Sequence, residues 1–87
     1  MDRFEKITKE MHDLYLIKNK NYGDSFSKQF KEYGLTSVCI RLEDKLNRLK
    51  SLNKQGVKAN IDDESIKDTL IDLANYSILA IMEMQEG

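Results

Sequence analysis

The sequence predicts an all-α helical bundle that assembles as a homo-oligomer. Three observations point there. The 87 residues contain no proline and only four glycines, so little interrupts a helix. Apolar residues recur at spacings of three and four in every long segment. Finally, the run Leu73-Ala74-Asn75-Tyr76-Ser77-Ile78-Leu79-Ala80-Ile81-Met82 carries no charge on any face. A helix like that must be covered all round, and so short a chain has too little else to cover it. One helical domain over residues 1–87 is therefore expected, completed by further copies of itself.

The first helix is expected over residues 2 to about 19. Phe4, Ile7, Met11 and Leu14 form its apolar stripe, and Asp2 can cap its start. His12 falls beside that stripe, and with no second histidine or cysteine nearby it reads as a surface or boundary residue. Next, Asn19-Lys20-Asn21-Tyr22-Gly23 reads as a break, and Asp24 or Ser25 as the following cap. Two readings of this stretch stay open. It is a connection, or Lys18, Lys20, the two amides and the Tyr22 ring together hold a phosphate and a base.

A short helix is expected over 25–33, with Phe26, Phe30 and Tyr33 on one side and Gly34 at its end. Thr36 or Ser37 should cap a central helix that runs to about Asn53. Residues 54 to 62 read as a polar loop containing Gly56. Asp62 or Asp63 should begin the last helix, about 63 to 85, with Ile61 and Ile66 as a hydrophobic staple. The apolar centre of that helix is expected near Leu70, Ala74, Ile78 and Ile81.

Candidate chemistry lies on two stripes. In the central helix Arg41, Asp44, Lys45 and Arg48 share one line, at the shoulder of the apolar stripe. In the last helix Glu64, Asp68 and Asp72 recur every four residues, and Asn75 and Tyr76 continue the line into the uncharged segment. Stacked like charges cost a helix a little, and a divalent cation would remove that cost. Oxygen donors suit Mg²⁺, which takes its remaining ligands from water and substrate phosphates. Asp44, Asp68 and Asp72 are thus candidate metal and catalytic residues. Arg41, Lys45 and Arg48 are candidates for neutralising phosphate. The alternative is that the acids are a solvated face and the pairs ordinary surface bridges.

The residues Lys18-Asn19-Lys20-Asn21-Tyr22-Gly23-Asp24-Ser25-Phe26, Tyr33-Gly34, Arg41-Leu42-x-Asp44-Lys45-Leu46-x-Arg48-Leu49 and Asp63-Glu64-Ser65-Ile66-x-Asp68-Thr69-Leu70-x-Asp72-Leu73-Ala74-Asn75-Tyr76 carry a resemblance. Together they resemble a small phage and prophage family of nucleotide-modification-associated domains. More distantly the layout is similar to the MazG-like all-α nucleoside triphosphate pyrophosphatases. That resemblance implies a dimeric or tetrameric bundle in the host cytoplasm, with a nucleotide or nucleotide-derived ligand and Mg²⁺-dependent release of pyrophosphate. It further implies Asp44, Asp68 and Asp72 at the metal, Tyr22, Asn75 and Tyr76 near base and sugar, and Lys45 and Arg48 near the phosphates. The chain departs from the MazG pattern: the helix carrying Asp44 has no Glu-x-x-Glu, offering Glu43-Asp44-Lys45 with Asn47 instead, and Asp68 and Asp72 are spaced by four. A protein that sequesters a nucleotide without cleaving it therefore stays open, as does a helical protein-interaction module.

Several classes are excluded or disfavoured. With 14 basic against 15 acidic residues, net charge −1, nothing pulls the chain toward nucleic acid or an anionic membrane. No apolar run approaches a membrane span. Cys39 is alone, which excludes an intramolecular disulfide and fits a reducing compartment.

Overall fold

The computed structural model describes residues 1–22, 24–54 and 64–86, leaving aside the side chains of 20–22 and 86. Helix α1 spans Arg3–Tyr22, α2 Ser25–Tyr33, α3 Leu35–Asn53 and α4 Glu64–Glu86. No strand occurs among the described residues, and none of these helices is long and apolar enough to cross a membrane.

Asp2 caps α1 as expected: its Oδ1 accepts the Glu5 backbone N–H at 2.8 Å. The helix then runs past Asn19 to Tyr22, so the asparagines do not break it. The cost of asparagine inside a helix is a few tenths of a kcal/mol, within reach of one more turn of backbone bonding. His12 is exposed and stacks on Tyr15 at 6.2 Å between centroids.

Gly34 does end α2. Its φ of 64° with ψ of −150° is open only to glycine, and its N–H donates to Phe30 O at 2.7 Å. It also occupies the N-cap position of α3, so the expected Thr36 or Ser37 cap is not formed. Ser37 Oγ instead donates to Gly34 O at 2.8 Å. One glycine thus closes one helix and opens the next. A Cβ there would meet nothing within 4 Å, so Gly34→Ala should cost backbone strain alone. Thermal denaturation should show a loss of about 1–3 kcal/mol.

Helices α3 and α4 form the main packed pair, and α2 and α1 lie against α4. Thr69 is 2% exposed and returns its hydroxyl to Ser65 O at 2.6 Å, which leaves a small, satisfied surface where helices approach. Lys67 of α4 reaches Glu10 of α1 at 2.9 Å. The expected cap at Asp62 or Asp63, the loop around Gly56 and the Ile61 staple fall outside the described residues.

The last helix turns a different face inward than the apolar pattern suggests. Ile71 and Ala80 are buried, while Leu70, Ile78 and Ile81 are about half exposed. Phe4 and Ile7 project from α1 in the same way. Among the described residues only Met11, Val38, Ile71 and Ala80 form a buried apolar core. The accessible surface is 6835 Å², against about 5300 Å² for a compact monomer of this mass. The radius of gyration is 14.3 Å, against about 12 Å for a compact domain of this length.

Candidate functional site

Asp72 sits at the centre of the site. Its side chain is 15% exposed. Lys18 of α1 donates to Oδ1, and Lys45 of α3 lies 3.0 Å from Oδ2. Three helices are therefore tied through one carboxylate. Burial by itself would raise the Asp72 carboxyl; hydrogen bonds from Lys18 and Lys45, and their charges, outweigh it, and the net position lies below the ordinary carboxylate range.

Beside this cluster stands an aromatic stack. Phe26 of α2 and Tyr76 of α4 face each other at 6.0 Å between centroids, 16° from parallel. The Arg41 guanidinium lies over both rings, 5.2 Å from the Phe26 centroid and 5.5 Å from that of Tyr76. Its Nε donates to Gln29 Oε1 at 2.6 Å, which fixes its plane. Asn75, one residue earlier, donates its amide to Met11 O at 3.2 Å. A polar side chain in the uncharged half of α4 thereby finds a buried partner, as the pattern required.

Apart from Gln29, these side chains line a cavity of about 570 Å³, a volume suited to a small molecule. Its lining carries three cations, Lys18, Arg41 and Lys45, and three acids, Asp24, Asp72 and Glu83. Leu79 and Met82 continue the wall, and Glu83 lies eleven residues, about 16 Å, further along α4 than the Lys18–Asp72–Lys45 cluster. Asp24 on the rim faces Lys28 at 3.5 Å. A second recess, about 450 Å³, lies on the far side of the wall made by Arg41, Lys45 and Tyr76, and Asp44 lines it.

Of the residues singled out in the sequence, Arg41, Lys45, Asp72, Asn75 and Tyr76 come together in the main cavity. Asp44 borders only the neighbouring recess. Arg48 and Asp68 are exposed and line neither. The Tyr22 side chain falls outside the described residues. The carboxylates Asp44, Asp68 and Asp72 are not gathered in one site: Asp72 lines the main cavity, Asp44 the neighbouring recess and Asp68 neither. Among the described residues no three His, Cys, Asp or Glu side chains are close enough to share a metal ion. A divalent cation at Asp72 would meet two ammonium groups as neighbours, so these donors do not fit one.

Phe26, Gln29 and Glu83 were not among the site residues the pattern suggested. Glu83 had a legible signal: it lies eleven residues after Asp72 and seven after Tyr76, hence on the same line of α4. Gln29 had none, because its role depends on how α2 docks on α3.

Across the described residues, the fold and cavity define a small helical protein with an aromatic-walled pocket of mixed charge. Its family is shown by sequence: the model of nucleotide modification associated domain 1 matches residues 18–84, and the chain belongs to that family. The matched span carries every residue of the pocket except Tyr15. No curated protein and no solved structure matches the chain.

Proposed function

We propose that the protein binds a nucleoside phosphate in this cavity and holds it without hydrolysing it. The observation that carries the reading is the Arg41 guanidinium lying over Tyr76 and Phe26 beside Lys18 and Lys45. A base stacks on an aromatic face, and phosphates take the ammonium and guanidinium donors that Asp72 and Gln29 leave over. Family membership supports a nucleotide ligand. Asp72, tied to two lysines, is proposed as the residue that positions them rather than as a metal ligand.

The active form is proposed to be a homo-oligomer of MazG-like architecture. Support comes from α4, where Leu70, Ile78 and Ile81 are each about half exposed.

The test is a thermal-shift and calorimetry panel of nucleotides, nucleotide-derived signals and inorganic tripolyphosphate, each with and without Mg²⁺. A ligand that binds only the folded state raises the melting temperature by mass action. Stabilisation by nucleotides without metal is the expected result. Tyr76→Ala should then weaken nucleotide binding roughly 10- to 100-fold, the worth of one stacked base, and leave tripolyphosphate binding largely intact. Mg²⁺-dependent pyrophosphate release would replace this reading with the hydrolase, its metal held by Asp44, Asp68 and Asp72 from different protomers. No shift with any nucleotide would favour a helical protein-interaction module.

A further inference from the structure

One acid of the cavity has neither a role in phosphate binding nor a partner among the described residues. Glu83 lines its far end, and Glu83 Oε1 is buried with no hydrogen-bond partner among the described residues. A buried acceptor left unpaired is costly, so such groups in native proteins are normally satisfied, by the protein or by what it binds. Asp72 and Glu83 stand on one line of α4, eleven residues apart, about 16 Å along the helix. Between them lie Tyr76 and Leu79. The cavity therefore asks for an anion at one end, a flat apolar body in the middle and hydrogen-bond donors at the other end.

A carboxylate offers acceptors only, two oxygens side by side. Among the common bases, the pairing edge of adenine presents one donor beside one acceptor, and that of cytosine one donor beside two acceptors. Uracil and thymine present one donor flanked by two acceptors. Only guanine presents two adjacent donors, N1–H and the 2-amino group, which match a carboxylate fork. The terminal torsion of a glutamate is soft, so both oxygens can be turned to that edge.

We infer that Glu83 is the specificity-determining residue of the cavity and selects a guanine nucleotide, its base edge on Glu83 and its phosphates at Lys18 and Lys45. The inference rests on the nucleotide-binding reading above. A ribose diol could also donate two hydrogen bonds, and the test separates the two sources.

The experiment is calorimetric titration of the full chain with GTP, ITP, ATP and 2′,3′-dideoxy-GTP. ITP lacks the 2-amino donor, and the dideoxy compound lacks the diol. GTP and dideoxy-GTP should bind alike, ATP roughly 10- to 100-fold more weakly, the discrimination a bidentate base contact supplies, and ITP between them. Glu83→Gln places a donor beside an acceptor, which matches adenine, so the variant should lose the guanine preference and favour ATP. A purely structural glutamate would not reverse the order. GTP, ITP and ATP binding equally to the natural chain would overturn the assignment while leaving nucleotide binding in place. So would a loss confined to dideoxy-GTP, which would put the sugar at Glu83. Binding of none of the four would remove both readings together. The natural-chain panel decides the matter even if Glu83→Gln fails to fold.

Discussion

Asp72→Asn is expected to lower the stability of the protein and yet tighten its hold on an anionic ligand. The carboxylate neutralises Lys18 and Lys45 across three helices. An asparagine keeps one acceptor and removes the charge. Hydrogen bonds to charged groups contribute about 1.5–3 kcal/mol, and both lysines are partly exposed, so about 1–2 kcal/mol should be lost. For a domain of this size that is roughly 5–10 °C in melting temperature. The two ammonium groups are then left with fewer competitors for phosphate, and nucleotide affinity should rise. Acid unfolding supplies an independent check. The folded-state carboxyl lies below its ordinary value, so its contribution is complete above the ordinary carboxylate range and fades as pH falls through the lowered one. The natural chain should therefore lose stability in that acid window, and the Asp72→Asn chain should lose less. A variant whose melting temperature and acid limb match the natural chain would show that the carboxylate ties nothing together. Loss of nucleotide binding would make Asp72 a direct ligand contact.

The second large effect concerns the outward face of α4. Ile78 and Ile81 are about half exposed in the single chain, and the buried apolar core among the described residues, Met11, Val38, Ile71 and Ala80, is thin. Folding and assembly are expected to be one equilibrium, so the melting temperature of the natural protein should rise with its concentration. Ile78→Glu together with Ile81→Glu would set charges into the face that assembly is expected to cover. The expected result is a monomer in sedimentation with much of its helical circular dichroism lost at the same concentration. A natural chain that sediments as a monomer at micromolar concentration, with a melting temperature independent of dilution, would contradict this.

The helices were legible because their signals are local. Asp2, Gly34 and Asn53 sit at or beside helix limits that the pattern placed within a residue. Two features of the structure depart from the local pattern for physical reasons. Asn19-Lys20-Asn21 has the composition of a break, but the small helix cost of asparagine is overridden by backbone bonding. The most apolar line of α4 predicts its inward face. In the single chain that line is left outside, because docking is decided by the small Thr69 and by the Asp72 and Asn75 bonds to α1 and α3. The same fact explains the site. Arg41, Lys45, Asp72, Asn75 and Tyr76 could be read from helical spacing alone. Which cation meets which acid depends on helix pairing, and spacing is silent on that. An acidic stripe and a lysine bridge look identical in sequence until the lysine on the other helix is placed.

The short helix α2 has a consequence for kinetics. It contains no buried residue, and it joins α3 through the single left-handed backbone of Gly34. Its hold on the rest of the protein includes the Phe26 ring under Arg41 and the Gln29 bond to the same side chain. Such an element opens locally at low free energy. A base bound against that wall would have to leave when α2 lifts, so residence time and α2 opening become one clock. Amide exchange in Ser25–Tyr33 should slow in proportion to ligand occupancy, while exchange in the paired stretch of α3 and α4 changes little.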